Sequence, residues 1–335
     1  MPGLIDRYGR RLDYLRLSVT DRCNLRCIYC LPPGGVALRP PSDILTYEEI
    51  LRVVECALEL GVTRVRVTGG EPLVRQGLLD FLSLLSRLPG LADLSLTTNG
   101  TLLPGLAGDL RQAGVARLNL SLDSLDADRF ARITRGGRLG QVLRGLDEAL
   151  LAGFAAVKLN VVVVRGFNLD EVPRFAALTL EAPVHVRFIE LMPLGEAGPW
   201  SARARVPTAQ VRAVVERELG PLEPAPGVAG AGPAEYGRLK GGQGAVGFIA
   251  PMSRGFCASC NRLRLQADGA LRPCLAGGPE VPLGPLLRSG CPEPALRRAL
   301  ERAASLKPRS HRLAAGERGE GRVGGEAPCM ARIGG

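Results

Sequence analysis

The sequence predicts an α/β fold in which helices pack against a parallel β-sheet. From about residue 15 to residue 190, short runs rich in β-branched residues alternate with longer amphipathic stretches, which gives six successive β–α units. Glycines stand where three of the helices should end, at Gly61, Gly114 and Gly153. Helical crossovers can close such a sheet into a barrel or leave it open, and in both cases ligands bind at the carboxyl ends of the strands.

Each of the six units contains an identifiable strand, and at least one amphipathic stretch follows most of them. The predicted strands cover residues 15–20, 64–68, 93–97, 117–121, 157–164 and 184–189. The predicted helices cover residues 46–60, 78–88, 106–113, 127–133, 139–152 and 169–180. Thr46 and Glu49 have the spacing of a capping box at the start of the first helix.

The composition changes after about Trp200. A helix is predicted at residues 206–219, followed by a connection rich in Pro, Gly and Ala at residues 221–233. Two hairpins follow, formed by residues 236–240 with 245–249 and by residues 263–266 with 270–272. The Gly- and Arg-rich stretch that begins at about Lys307 is expected to be a mobile tail.

Length and composition predict two domains, residues 1–220 and a smaller C-terminal module of residues 221–335. Neither a targeting segment nor an apolar run of membrane-spanning length is recognisable, so a cytoplasmic protein without a membrane partner is expected. The net charge of +10 suits either an arginine-rich surface or an anionic ligand. Aromatic residues make up only 4% of the chain, which argues against stacking on single-stranded nucleic acid. The chain offers few groups for histidine-based acid–base or metal chemistry, since its only histidines are His185 and His311.

Three cysteines with CxxxCxxC spacing lie directly after the first predicted strand: Cys23, Cys27 and Cys30. Thiolates this close can hold one face of an iron–sulfur cluster, and three of them leave one iron of a four-iron cluster open for chemistry. A disulfide with a spare thiol, a zinc site and buried structural cysteines are the alternatives. Structural zinc normally takes four protein ligands, and no signal peptide precedes the run, so the spacing favours the cluster.

A second group of cysteines lies in the C-terminal module: Cys257, Cys260 and Cys274. CxxC with one later cysteine is also half of a zinc ribbon, which Cys291 or Cys329 would have to complete. The incomplete set fits a second three-cysteine cluster with one open iron. Arg262 and Arg264 are two residues apart on a predicted strand and should point to the same side, beside this group. The ninth cysteine, Cys56, is expected in the core.

With Tyr29 just before its last cysteine, the first group resembles the signature of the radical S-adenosylmethionine (SAM) enzymes. The sequence Gly69-Gly70-Glu71 after the second strand resembles that family's motif for the methionine part of SAM. The resemblance implies a partial (β/α)6 TIM-like barrel, with SAM on the open iron of a [4Fe–4S] cluster and cleaved to a 5′-deoxyadenosyl radical. The cofactor-binding residues that it implies are Tyr29, Gly70, Ser121 and Met192.

The C-terminal motifs narrow the resemblance to the GTP 3′,8-cyclases of molybdenum cofactor biosynthesis, a family of radical SAM enzymes. They are the run 256–264, the segment 268–275 and the final Gly334-Gly335. The resemblance implies two [4Fe–4S] clusters, the second of which holds guanine through its open iron. Hydrogen abstraction from ribose C3′ and attack on guanine C8 would give (8S)-3′,8-cyclo-7,8-dihydroguanosine 5′-triphosphate. No acid or base side chain is implied, but Gly334 and Gly335 would assist at the active site.

A triphosphate substrate would explain cations inside a sheet. Guanidinium groups bind phosphate bidentately, and a buried cation is costly unless it is paired or faces a ligand. The substrate-binding residues that the resemblance implies are Arg16, Arg66, Thr97, Lys158, Arg187, Arg262 and Arg264. Strand alternation should leave some of these facing outward. Arg64 is expected to be either the surface member of the pair with Arg66 or a second phosphate contact.

The resemblance also implies partners and leaves alternatives open. GTP is the expected substrate, the product would pass to the cyclic pyranopterin monophosphate synthase, and a homodimer is possible; no electron donor is implied. The alternative enzyme is a radical SAM enzyme that modifies peptides with the help of an auxiliary cluster. An iron–sulfur or zinc protein that only carries electrons or binds nucleic acid is the alternative from another class, but it would give the Gly-Gly-Glu motif no role.

Overall fold

The computed structural model describes residues 3–230, 232–311, 313 and 330–333. The twelve strands are β1 Tyr14–Ser18, β2 Arg64–Thr68, β3 Asp93–Thr98, β4 Arg117–Ser121, β5 Ala156–Val163, β6 Val184–Glu190, β7 Glu223–Pro224, β8 Glu235–Arg238, β9 Ala245–Ile249, β10 Arg262–Leu265, β11 Ala270–Arg272 and β12 Val281–Pro282. The helices are α1 Tyr47–Glu59, α2 Leu78–Ser86, α3 Ala107–Gln112, α4 Ala127–Thr134, α5 Leu139–Leu151, α6 Val172–Glu181, α7 Ser201–Ala204, α8 Thr208–Leu219, α9 Gly284–Arg288, α10 Glu293–Ser305 and α11 Met330–Ile333. Five short 3-10 turns connect them at Pro41–Asp43, Pro72–Val74, Leu169–Glu171, Gly195–Ala197 and Cys257–Ser259.

All of these strands belong to one sheet, in the order β12-β11-β10-β1-β2-β3-β4-β5-β6-β9-β8-β7. The strands β1 to β6 are parallel and follow chain order, so the predicted α/β fold with six β–α units is confirmed. The predicted capping box is also formed, with the Glu49 amide and the Thr46 hydroxyl 3.2 Å apart and a reciprocal bond of 2.8 Å. Among the described residues, no helix combines the length and the apolar character needed to cross a membrane.

The two faces of the sheet differ in chemistry because side chains alternate along each strand. Aliphatic residues such as Leu17, Val67 and Leu159 face the helices and are fully buried in the main hydrophobic core. Cys56 of α1 lies in this core too, as predicted. The opposite face carries polar and charged side chains in register from strand to strand. The helices therefore cover one face of the sheet, and the polar and charged side chains lie on the opposite face.

The C-terminal strands extend both edges of this sheet. The two predicted hairpins are confirmed as β8 with β9 and β10 with β11. They lie at opposite edges, since β9 pairs in parallel with β6 and β10 pairs in parallel with β1. The division of the chain into two domains at residue 220 stays a prediction.

The predicted mobile tail from about Lys307 is wrong at its start and near its end. Lys307 is only 3% exposed, and its ammonium donates to the carbonyl oxygens of Arg262 and Pro273, each at 2.7 Å. Near the end of the chain, Ile333 of α11 is only 2% exposed and Arg332 donates to the carbonyl of Ala37 at 2.6 Å. The sequence signal of glycine and arginine did not reveal these anchoring contacts.

Candidate active site

The loop of the first cysteine group leaves the carboxyl end of β1, where the sequence predicted a ligand site. Its members Cys23, Cys27 and Cys30 form no disulfide within the described part of the chain. The amides of Arg26 and Ile28 donate to the carbonyls of Thr134 and Ile133, at 3.0 and 2.9 Å. Arg135, which has φ of 54°, donates to the carbonyl of Leu31 at 2.6 Å. The end of α4 thus holds the cysteine loop against the sheet.

Gly70 brings the end of β2 against the same loop. The Gly70 amide donates to the carbonyl of Thr20 and the Glu71 amide to the carbonyl of Arg22, both at 2.8 Å. A Cβ atom on Gly70 would overlap the Arg22 carbonyl oxygen, well inside van der Waals contact. Glycine is therefore required here for the close approach of two backbones, whatever its predicted part in binding the cofactor.

A buried carboxylate links the ends of β2 and β3 to the cysteine loop. Glu71 accepts bonds from the Thr98 hydroxyl and the Asn99 amide, both at 2.7 Å. The Asn99 side chain donates to Asn24 at 2.8 Å and lies 3.9 Å from the Cys23 sulfur. Burial raises the pKa of Glu71 to about 7 despite these bonds. These hydrogen bonds orient the cysteine loop relative to the carboxyl ends of β2 and β3.

Tyr29 is held by a second buried carboxylate. Its hydroxyl donates to Asp123, 2.5 Å away, and Asp123 also accepts from the Val162 amide at 2.8 Å. Burial raises the pKa of Asp123 to about 6, and burial followed by the charge of Asp123 raises the pKa of Tyr29. Asp123 follows β4, so the last turn of the cysteine loop is tied to the carboxyl end of a third strand. The cofactor-binding role of Tyr29 stays a prediction.

Polar atoms without partners lie on the same face of the sheet. Thr97 Oγ1 and Asn160 Oδ1 are buried and make no hydrogen bond within the described part of the chain. Asn160 stands opposite Ser121 in the register of β4 and β5. Since buried polar groups nearly always have partners, these atoms fit a bound molecule that supplies the missing bonds. Met192 lies two residues beyond β6 and is half-buried.

Cations form a belt across the polar face, described here as the cation belt. Its members are Arg16, Arg66, Arg117, Lys158, Arg187, Arg262 and Arg264. Arg16 stands opposite both Arg66 and Arg264, so three guanidinium groups come from adjacent strands. Arg64 lies on this face too, two residues from Arg66, where it pairs with Asp13. Its side chain is 34% exposed, so the two expected roles of Arg64, at the surface or as a second phosphate contact, stay predictions.

The cation belt has few counterions among the described residues. Asp93 pairs with Arg117, and Arg187 donates to the Asn119 side chain at 2.6 Å while its Nε has no partner in the described ranges. Burial lowers the pKa of Arg187 to about 10. Burial, followed by the charges of Arg187 and Arg117, lowers the pKa of Lys158 to about 7. An interior this positive fits an anionic ligand.

The second cysteine group lines one cavity. Its members Cys257, Cys260 and Cys274 are joined there by Arg10, Lys307, Pro308, Ser310 and His311. Burial opposes ionisation of Cys260, but Arg262 and Lys307 outweigh it and lower the pKa of the thiol to about 7. Thiolates are the form that iron binds, so the donor set fits a cluster. Within the described residues, no group of three or more His, Cys, Asp and Glu side chains could hold a single metal ion.

The two cysteine groups lie at opposite ends of neighbouring strands. Cys23, Cys27 and Cys30 follow β1, whereas Cys257 and Cys260 precede β10, and the two strands are parallel and in register. The five residues of β1 rise roughly 13 Å from end to end. The part of the cation belt on β1 and β10 lies between the groups. Gly334 and Gly335 lie outside the described residues.

The sequence did not single out several residues that the fold brings to these sites. Asp123 follows β4 at a position that turn chemistry also explains, Asn160 lies within β5, and Arg117 begins β4 as an ordinary charged residue. Lys307 and His311 fell in the stretch expected to be mobile. The spacing of residues along the chain contained no signal that would have placed Lys307 or His311 beside the second cysteine group.

Residues 17–179 of the chain match the radical SAM superfamily, and residues 184–313 match the family described as Molybdenum Cofactor Synthesis C. The GTP 3′,8-cyclase of Pelotomaculum thermopropionicum is 52% identical over 313 residues, which cover 93% of this chain and 96% of that protein. The chain belongs to the GTP 3′,8-cyclase family. The GTP 3′,8-cyclase of Moorella thermoacetica is 48% identical over 98% of this chain and 99% of its own. The predicted family is thereby confirmed.

Two solved structures of one protein share the fold of this chain. Streptococcus suis SuiB bound to S-adenosylmethionine superposes with a TM-score of 0.59 at 14% identity, covering 81% of this chain. The chain spans 62% of the length of SuiB. SuiB bound to its precursor peptide SuiA gives the same TM-score over 92% of this chain and 68% of SuiB. At this identity the likeness concerns the fold alone, and it agrees with the predicted partial barrel.

Proposed function

We propose that the chain is a radical SAM cyclase that converts GTP to (8S)-3′,8-cyclo-7,8-dihydroguanosine 5′-triphosphate, the first step of molybdenum cofactor biosynthesis. Relatives that carry the name GTP 3′,8-cyclase match it over nearly their full length. The structural observation that carries the proposal is the cation belt between two three-cysteine groups. A purine triphosphate is an anion that such a belt can bind along its length.

Each part of the site has a role in this reaction. Cys23, Cys27 and Cys30 would hold a [4Fe–4S] cluster, which with SAM would supply the radical chemistry for hydrogen abstraction from ribose C3′ and for bonding of C3′ to guanine C8. The triphosphate and ribose are bound and oriented by Arg16, Arg66, Thr97, Lys158 and Arg187. SAM is contacted by Tyr29, Gly70, Ser121 and Met192.

The second cysteine group is assigned to a second [4Fe–4S] cluster that binds guanine through its open iron. Support comes from the shared cavity of Cys257, Cys260 and Cys274 and from the lowered pKa of Cys260. Arg262 and Arg264, on the strand that follows, would hold the nucleotide beside it. Gly334 and Gly335 are proposed to reach the reacting substrate. In support, the preceding helix α11 begins near the first cysteine loop, because a Cβ placed on Gly195 would lie 3.7 Å from the Met330 amide nitrogen and 3.3 Å from the Cys30 carbonyl oxygen.

A peptide-modifying radical SAM enzyme is the weaker candidate. The precursor peptide SuiA is bound by SuiB, and the likeness of this chain to SuiB concerns the fold alone. A peptide would not need seven cations on one face of the sheet. The downstream synthase, a homodimer and a cytoplasmic location stay predictions from the sequence.

The test is anaerobic reconstitution of the full chain, followed by counting iron and adding GTP, SAM and dithionite. We expect about eight irons per chain and 5′-deoxyadenosine formation that depends on GTP. The Cys27→Ala variant should abolish 5′-deoxyadenosine and keep about four irons at the second group. Cofactor cleavage that persists in this variant, or that ignores GTP in the unaltered protein, would contradict the proposal.

A further inference from the structure

His311 lies on the wall of the cavity that the second cysteine group lines. It is one of only two histidines in the chain, and the motifs of the sequence give it no role. The three cysteines account for three irons of a four-iron cluster, and no further cysteine of the described ranges lines the cavity. Cys291 is not a candidate for the fourth position, because it packs in the main core near α1, where Arg52 donates to its carbonyl.

The hydrogen bonding of His311 fixes which ring nitrogen is available. Nε2 lies 2.7 Å from the carbonyl oxygen of Pro251, which can only accept, so Nε2 carries the proton. Nδ1 is buried and has no partner within the described residues. In the neutral ring Nδ1 is a lone-pair donor to a metal. A protonated Nδ1 would be a buried N–H without an acceptor and close to the cations Arg10 and Lys307.

The Pro251 contact is typical of a metal-binding histidine. Such residues almost always donate the other ring N–H to a carboxylate or a backbone carbonyl, which fixes the tautomer and the ring orientation. Pro251 is itself held in place, since Glu190 accepts bonds from the following amides of Met252 and Ser253, both at 2.9 Å. The support behind His311 is therefore rigid.

The chain segment that carries His311 is anchored around the cavity. The Lys307 ammonium bridges the carbonyl of Arg262, two residues after Cys260, and that of Pro273, next to Cys274. Arg10 donates to the carbonyls of Cys257 and Pro308, both at 2.6 Å. These two cations tie the segment 307–311 to all three cysteine positions. The imidazole is thereby placed by the same contacts that shape the cysteine site.

We propose that His311 is the fourth protein ligand of the second cluster in the absence of substrate, binding the otherwise open iron through Nδ1. The inference rests on the proposed function, since it requires the second cluster. When GTP binds, the bond from iron to imidazole breaks and a bond from iron to guanine forms, with no change in the number of electrons. Histidine coordination of an iron–sulfur cluster has precedent in proteins in which histidine replaces cysteine.

The test isolates the second cluster in a Cys23→Ala, Cys27→Ala, Cys30→Ala background of the full chain. The protein is labelled with 15N-histidine, reduced, and studied by pulsed EPR for hyperfine coupling between the cluster and nitrogen. We expect coupling of a directly bound imidazole nitrogen, and we expect added GTP to remove it. The variant His185→Asn leaves His311 as the only labelled histidine, so the coupling should remain in this variant.

The decisive variant is His311→Gln. The glutamine amide can still donate to the Pro251 carbonyl, but it offers no counterpart of Nδ1, so about four irons should remain while the 15N coupling disappears. Two results would overturn the assignment of His311 without affecting the second cluster. One is coupling that persists in His311→Gln, and the other is a labelled parent that holds about four irons but shows no coupling. If the labelled parent binds no iron, the second cluster itself is excluded, together with its role in the proposed function.

Discussion

At the scale of single residues, the sequence predicted cations within the strands but not the face of the sheet on which each of them lies. A charged residue within a hydrophobic strand is conspicuous, and this signal, together with the family resemblance, marked Arg16, Lys158 and Arg187. Their common face depends on the register between strands that are far apart in the chain. The same dependence explains why Arg117 was not singled out.

Arg264 should make a strong contribution to nucleotide binding. Its side chain is buried on β10, and burial, followed by the neighbouring charge of Arg262, lowers its pKa to about 9. Replacing it by methionine, Arg264→Met, removes a charge-assisted contact and should weaken GTP binding about 10- to 100-fold in equilibrium binding measurements. Iron content should not change. The exposed Arg217→Gln is the control and should bind GTP like the unaltered protein; equal affinities in both variants would exclude Arg264 from the site.

Lys158 should make GTP binding depend on pH. Its pKa is lowered to about 7, so the ammonium is lost as the pH rises through 7, whereas a bound triphosphate favours the charged form. Binding at pH 8 should therefore take up a proton, and affinity should fall by up to about tenfold per pH unit above pH 7. Calorimetry in two buffers of different ionisation enthalpy measures this uptake. Lys158→Arg keeps its charge and should lose the lysine's share of the uptake; an unchanged uptake would assign the proton to another group.

At the scale of secondary-structure elements, sequence periodicity predicted the strands and helices of the first six units to within a few residues. The hairpins were predicted equally well from Gly-rich turns. The contacts that hold loops were not predictable in this way. The bonds from the end of α4 to the first cysteine loop and those from Lys307 to Arg262 and Pro273 join distant segments, and only the assembled fold brings them together.

The contact between β2 and the first cysteine loop leads to a specific prediction for Gly70→Ala. A Cβ atom there would overlap the carbonyl of Arg22, so either the loop or the end of β2 must move. We expect the reconstituted variant to fall from about eight irons to about four, and to be less stable to denaturant. Gly34→Ala is the matched control, since a Cβ at Gly34 has open space around it. Full iron content in Gly70→Ala would show that the close approach is not needed for the cluster.

At the scale of the whole molecule, the sequence predicted the parallel sheet but not the way in which the C-terminal strands complete it. Hairpin signals identify β8 with β9 and β10 with β11, yet contain no information on which edge each hairpin joins. The structure places β9 beside β6 and β10 beside β1. Residues after 220 therefore cover both edges of the six-stranded part.

A fragment of residues 1–220 should consequently fail to behave as an independent domain. Removal of β9 and β10 leaves the edges of β6 and β1 unpaired, and exposed parallel edges promote association between chains. We expect the fragment to aggregate, as measured by gel filtration and by loss of a cooperative unfolding transition. The full chain under the same conditions is the control. A monomeric fragment with cooperative unfolding would favour the predicted domain boundary instead.

The pairing of β1 with β10 also has a consequence for the nascent protein. Tyr14 and Arg262 are register partners, so 248 residues of synthesis separate the appearance of one strand from that of the other. At roughly 5–20 residues per second, the ribosome needs about 12 to 50 s to deliver the partner of β1. For that time, the strand next to the first cysteine loop has one open edge. We therefore expect the first cysteine loop to reach its final surroundings only after β10 has been synthesised.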